Sequence, residues 1–233
     1  MPRIPLIEDM TTEPVPAGSN ILVEFAGASQ WYNASLSIAA GWMKSGGKIS
    51  FNTFAQPPDD IRRKLGRLGI NILEFEKDDK LRIVDWYTAT LGQKSKETYK
   101  MDSLKVADLS IRFSSEVLHE PLQPDWMRIA DSISMLTRFN DERLSTEFIL
   151  TRILPGHRLR KSTGIAGYAK GISGAGVYEQ LEGAVDGIVD FKLEETEGET
   201  MNFMRIRTMR EIGFQSNWHR LKLDENFEVT LEK

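Results

Sequence analysis

Short apolar runs and amphipathic stretches alternate along most of the chain. A proline-spaced leader (residues 1–16) gives way at Pro16-Ala17-Gly18 to Asn20–Glu24, whose unbroken apolar character predicts a buried strand. Residues 33–44 have helical periodicity, and Gly46-Gly47 is a stop signal. KISFNTF at 48–54 alternates and carries aromatics, as a strand does. Pro57-Pro58-Asp59-Asp60 opens a helix, with proline in its first turn and acids near the positive end of its dipole; that helix runs to about Leu68. LRIVDW (81–86) is a third strand, 107–118 a helix, and Pro121 and Pro124 mark a loop. Trp126–Ala130 is a strand ending at Asp131, and 141–154 a helix expected to stop at Pro155-Gly156. Thr163–Ala169 is a further strand, then a glycine-rich loop and a helix over 177–185.

From Gly187 the period changes to alternation: IVDFKLEE, MNFMRIRTM, HRLKL and FEVTL, joined by polar turns at Glu197-Gly198-Glu199 and Asp224-Glu225-Asn226. Strands alternating with helices, then a run of hairpins, predict an α/β fold. Its central sheet is mostly parallel, with helices on both faces and an antiparallel C-terminal extension. There is no internal repeat, and the domain count is one, residues 17–233.

Composition narrows the function classes. The chain has 233 residues, 40% hydrophobic and 27% charged, which fits one ordinary globular domain. No apolar run approaches the roughly 20 residues that span a bilayer, and MPRIPLIEDM lacks a signal-peptide layout. Cytoplasm is therefore the expected location. With no cysteine there is neither a disulfide nor a thiolate site. The net charge of −4 argues against nucleic acid as a partner. Arg62-Arg63-Lys64 and Arg158-Leu159-Arg160-Lys161 read as solvated helix faces or ends. His119, His157 and His219 lack zinc-ligand spacing, so no metal is expected. Lys170-Gly171-Ile172-Ser173-Gly174-Ala175-Gly176 follows a strand and opens a helix, but lacks a dinucleotide fingerprint and reads as a flexible loop.

The order of several segments resembles the KaiC-like branch of the RecA-type P-loop ATPases. The matching pieces are PAGSNILVE, QPPDDIRRKLGRLGI, DDKLRIVDWY, RIADSISML, VYEQLEGAVDGIVDFKLEE and MRIRTMREIGFQSNWHRLKL, together spanning about 17–223. The resemblance implies a three-layer RecA-like fold. It also implies a phosphate loop, G-x-x-x-x-G-K-[ST], whose glycines, lysine and hydroxyl hold phosphate and magnesium.

Laid on this chain, that loop falls on Phe25 through Tyr32. Phe25 and Gln30 replace its glycines, Trp31 its lysine and Tyr32 its hydroxyl residue, and Ala28 stands where another glycine is usual. Non-glycine residues forced to positive φ would each cost roughly 1–2 kcal/mol. The acidic pair after the second strand is replaced by Ala55 and Gln56. Glutamine cannot take a proton from water at neutral pH, so general-base assistance, typically about 10²–10⁴-fold, is lost. Asp131 matches the family's metal-associated aspartate; it either holds a magnesium-bound water, or caps the following turn or hydrogen-bonds the helix after Tyr32. Of a Lys-x-Arg pair that reaches a neighbouring subunit in relatives, Thr208 and Arg210 stand in place, leaving Arg210 as a possible inter-subunit residue.

The expectation is a KaiC-like pseudo-ATPase with no cofactor and no catalytic residue. It would act as a binding or regulatory subunit that self-associates or assembles with an active relative. The alternative is a regulatory protein that binds ATP or another ligand in an altered mode. For Trp31 and Tyr32 three roles compete: plugging the nucleotide volume, anchoring a protein partner, or stacking on a planar ligand.

Overall fold

A computed structural model describes residues 2–117, 123–196 and 198–232. Six strands alternate with helices: β1 (Asn20–Phe25), β2 (Lys48–Thr53), β3 (Leu81–Asp85), β4 (Trp126–Ala130), β5 (Thr163–Ala169) and β6 (Gly187–Thr196). β7 (Glu199–Met209), β8 (His219–Leu223) and β9 (Val229–Leu231) complete the strands. They form one sheet in the order β3-β2-β4-β5-β1-β6-β7-β8-β9. Pairing is parallel from β3 to β6 and antiparallel from β6 onward, so β6 belongs to both halves. This is the α/β architecture the pattern predicts.

The helices are α1 (Trp31–Lys44), α2 (Pro58–Arg67), α3 (Ile72–Lys77), α4 (Tyr87–Thr90), α5 (Val106–Arg112), α6 (Glu142–Phe148), α7 (Leu154–Arg160) and α8 (Ala175–Ala184). Most of their ends obey local chemistry. In α2, Pro58 sits in the first turn, Asp59 and Asp60 near the positive pole, and Lys64 and Arg67 near the negative one. After α1, Gly46 takes a left-handed φ of +92°, which ends the helix without a Cβ penalty.

Several elements depart from the sequence expectation, the short helix α4 among them. α3 is additional to the expected helices, although Asn71-Ile72-Leu73-Glu74 is a capping signal; the Asn71 side chain accepts from the Glu74 N–H. The expected stop at Pro155-Gly156 is absent. α6 passes through a π-helical turn (Ile149–Ile153) directly into α7, and Pro155, the second residue of α7, is accommodated at that irregularity in the helical ladder. The chain turns away only at Lys161, at φ +57°. The expected helix over 107–118 is α5 plus a π-helical turn (Phe113–Val117). Leu118, His119, Pro121 and Glu197 lie outside the described residues.

The sheet is covered on both faces. One apolar cluster joins α1 and α2 to Ile49, Phe51, Ile83, Met127 and Ile129; the other lies beneath α5 to α8. The leader belongs to the first cluster: Ile4, Leu6, Ile7, Met10 and Val15 are at most 2% exposed. The Glu8 carboxylate folds it by accepting the N–H groups of Ile4 and Val15, each at 2.8 Å. Pro5 lies so close to α1 that a Cβ on Gly41 would sit 2.6 Å from its Cγ. The boundary expected at Pro16 therefore does not mark a break in packing.

Because the leader is core, Ile7→Ala should cost about 2–5 kcal/mol, in the range of a strand substitution such as Ile129→Ala. Urea unfolding of the two variants measures this; a near-neutral Ile7→Ala would mean that the leader is peripheral.

Candidate functional site

The segment after β1 turns sharply and enters α1 at Trp31, two residues before the start that periodicity suggests. No residue from Phe25 to Tyr32 has a positive φ. The strain expected of non-glycine residues there does not arise, because the loop takes another path. Without a left-handed residue it also lacks the alternating backbone that makes a nest of converging N–H groups. Ser29 N–H instead donates to the Ala26 carbonyl at 2.8 Å, and Gln30 N–H to Asn202 Oδ1 on β7 at 3.2 Å. Ala28 is exposed, and Gln30 caps nothing with its side chain, which accepts from Asn33 Nδ2 at 2.7 Å.

Trp31 is 0% exposed. Its ring lies against Phe25 and Phe191 at centroid distances of 6.2 and 5.6 Å, and its Nε1 donates to the Asp131 carbonyl at 2.6 Å. The indole crosses β5 at Gly167, where a Cβ would sit 2.2 Å from Trp31 Nε1 and 2.5 Å from the Asp131 carbonyl oxygen. Only glycine leaves room. Tyr32 is half-buried and meets Phe25 edge-on at 5.5 Å. Burial and the nearby Asp131 charge both raise its phenol above the usual 10.

Asp131 is likewise 0% exposed. Its carboxylate accepts the N–H groups of Phe54 (2.8 Å) and Ala55 (3.2 Å) and the Thr53 hydroxyl (3.3 Å), so it fixes the loop after β2. Burial pushes it from 3.8 up to about 6, against the downward pull of those donors. In the same loop the Gln56 carbonyl accepts from Thr53 Oγ1 and its side chain from Lys64 Nζ. Lys64, grouped in the sequence with solvated cations, is half-buried; burial lowers its pKa although Asp131 nearby opposes this. The structure thus brings Phe25, Gln30, Trp31, Tyr32, Ala55, Gln56 and Asp131 to one end of the sheet.

Arg210 lies elsewhere. It is exposed, and its guanidinium donates to the Gly183 carbonyl near the end of α8. The inward member of that strand is Arg207. It donates to Glu24 (2.5 Å), Glu182 (2.7 Å) and Asp190 (2.6 and 3.0 Å), and Asp190 also accepts from Lys170 and Arg205. Burial works against the Asp190 charge, but these cations hold its carboxyl below the usual 3.8. Lys170 therefore anchors the start of the loop read as flexible. Alternation in RIRTM places Arg205 and Arg207 on one face, a signal present in the sequence. No cluster of metal-ligating side chains occurs among the described residues.

Two measurements check these contacts. Gly167→Ala should destabilise by about 1–3 kcal/mol or more in urea, and less in a Trp31→Leu background; additive costs would uncouple the two. Between about pH 4 and about pH 6 the folded state keeps a proton on Asp131 that the unfolded chain releases. Its contribution therefore falls as pH rises, by on the order of 3 kcal/mol across that range. Stability measured over the same interval should fall less steeply for Asp131→Asn; parallel curves would refute the assignment.

Comparison with known proteins places this geometry. The family model for the KaiC ATPase matches residues 34–231. UPF0273 protein MK0039 of Methanopyrus kandleri is 26% identical over 197 residues, covering 78% of this chain and 72% of that protein. The KaiC-like protein PH0186 of Pyrococcus horikoshii superposes with a TM-score of 0.70 at 17% identity, over 100% of this chain and 97% of that one. Protein PH0321 of the same organism, solved with an unknown peptide, gives 0.74 at 16%, over 94% and 93%. No helix among the described residues is long and apolar enough to cross a membrane. The chain belongs to the KaiC ATPase family and has its RecA-type fold.

Proposed function

We propose that this chain is a KaiC-family member that does not hydrolyse ATP. It serves as a binding or regulatory subunit, self-associating or assembling with a catalytically intact relative. The observation that carries the reading is Trp31: a fully buried indole, hydrogen-bonded to the Asp131 backbone, where the sequence resemblance sets the family's phosphate-binding lysine. It closes the site from within.

The remaining residues do not fit a nucleoside triphosphate with magnesium. A neutral indole brings no charge, the loop has no left-handed residue to form a nest, and Asp131 spends its carboxylate on backbone N–H groups. Ala55 and Gln56 offer no base, and the Gln56 side chain is held by Lys64. A protein partner fits better than a nucleotide, and the unknown peptide carried by PH0321 makes a polypeptide the favoured class. Exposed Arg210, tethered at the end of α8, is the side chain this reading places at a subunit boundary.

Millimolar ATP with magnesium should leave the melting temperature unchanged, since a ligand stabilises only by binding the native state. Phosphate release should not exceed that of Trp31→Ala, itself about 3–5 kcal/mol less stable. A shift of several degrees would instead favour a nucleotide-responsive protein, and turnover well above the variant would overturn the proposal.

A further inference from the structure

Where β1, β6, β7 and α8 converge, three carboxylates meet three cations, and they are unequally served. The Arg207 guanidinium turns its Nε and one terminal nitrogen to Asp190, at 3.0 and 2.6 Å. The same terminal nitrogen reaches Glu24 Oε2 at 2.5 Å, and the other reaches Glu182 Oε1 at 2.7 Å. Lys170 Nζ and Arg205 Nε add their own donors to Asp190, at 3.0 and 2.9 Å. Asp190 therefore accepts from three cations, while Glu24 and Glu182 divide what remains of one.

No other element brings Glu24 a cation. Strand register sets it between Tyr168 on β5 and Asp190 on β6, and the Tyr168 hydroxyl is engaged with Ser173 in the loop before α8. Glu24 is 5% exposed, and its Oε1 accepts a hydrogen bond from no described residue. A buried oxygen without a donor is costly when its carboxyl group is ionised, because that form can only accept. The protonated form has an O–H to give.

An acceptor for that O–H is close by. Adjacent nitrogens of one guanidinium hold Glu24 and Glu182, which sets the two carboxyl groups side by side. Like charges so placed disfavour double ionisation. Burial, then the contact with Glu182, raise the Glu24 pKa above the usual 4.5, and Arg207 only partly opposes them. On the same guanidinium Asp190 is held below its usual value, so acids that share one counter-ion are driven apart.

We propose that folded Glu24 carries a proton at neutral pH and donates it from Oε1 to Glu182, forming a latch between β1 and α8 that opens as pH rises. Glu182 is 30% exposed, which gives the departing proton a path to water. Loss of that proton leaves two negative groups on one side of Arg207, with Oε1 still lacking a donor. β1 is fixed by strands on both sides, so α8 is the element that yields. Its Gly183 carbonyl holds Arg210, and that tether loosens with it. The sign follows from the proton: the unfolded chain, titrating near 4.5, has already released it. The latch is therefore at full strength below that value and is lost as pH rises through the folded pKa.

Three measurements on the full chain test this. With glutamate alone labelled, one carboxyl carbon resonance of the unsubstituted protein should titrate with its midpoint above neutral pH. Amide exchange in α8, corrected for its intrinsic pH dependence, should lose at least about tenfold of its protection between about pH 6 and about pH 9. Glu24→Gln should lose none, because the amide keeps an oxygen for Arg207 and an N–H for Glu182 at every pH. Its melting temperature should match the parent's at about pH 5 and exceed it at about pH 9. Glu179→Gln, at an exposed position of the same helix, should respond to pH as the parent does. The proposal is overturned if no glutamate titrates above neutral pH, a result that needs no variant to fold. It is also overturned if parental α8 protection is independent of pH, or if Glu179→Gln abolishes the response. A Glu24→Gln protein less stable than the parent at about pH 9 would show an ordinary ion pair with Arg207 and refute the latch.

Discussion

The hydrogen bond from Trp31 Nε1 to the Asp131 carbonyl ties the start of α1 to the end of β4. An indole N–H buried without an acceptor carries a full desolvation penalty, so the ring can enter the core only where a free carbonyl awaits it. The carbonyl at the end of β4 meets that need, and Gly167 on β5 provides the clearance. The carboxylate of the same residue gathers the loop after β2 through Phe54 and Ala55. One aspartate thus joins the first turn of α1 to two neighbouring strand ends, its backbone serving one and its side chain the other. In this family that end of the sheet is where function is ordinarily placed; here its polar groups are directed at one another.

The two faces of the sheet differ in what they carry. On the α1 side, the leader, Trp31, Phe25 and Phe191 complete one continuous apolar layer. On the other side, Arg82 and Arg128 flank Ser50 in register. Dense packing is the norm for protein interiors, and a chamber of about 380 Å³ lined by Ser50, Asn52, Arg82 and Arg128 departs from it.

Legibility in the sequence tracks the range of the interactions involved. The site's position is readable because a buried strand, a turn and an amphipathic helix are local patterns, and the chain order around them is that of the family. The alternation in KISFNTF and the arginine interrupting β4 are readable too, and both point into the chamber. The features that local patterns conceal depend on partners far along the chain. The leader reads as a proline-spaced segment ahead of the domain, yet Glu8 folds it so that Ile4 and Ile7 reach the core. Pro155 reads as a stop, but a π-helical turn places it where proline is tolerated. The strain expected in the loop presupposes positive φ, and residues 25–32 avoid it because their backbone leaves the phosphate-loop path altogether.

Arg207 shows how a partly buried ion cluster can join the two halves of the sheet. Removing one partner from a buried ion cluster commonly costs about 3–5 kcal/mol, since the remaining charges stay desolvated. Asp190 is 1% exposed and Glu24 5%, and they lie on adjacent strands with Arg207 donating to both. The cluster therefore holds β7, and with it the antiparallel extension, against the parallel half of the sheet. Arg210, three residues on, is outward and tied to α8. Its guanidinium donates to the Gly183 carbonyl, so the residue just beyond β7 is tied to α8 while Arg207 ties the strand itself to β1 and β6.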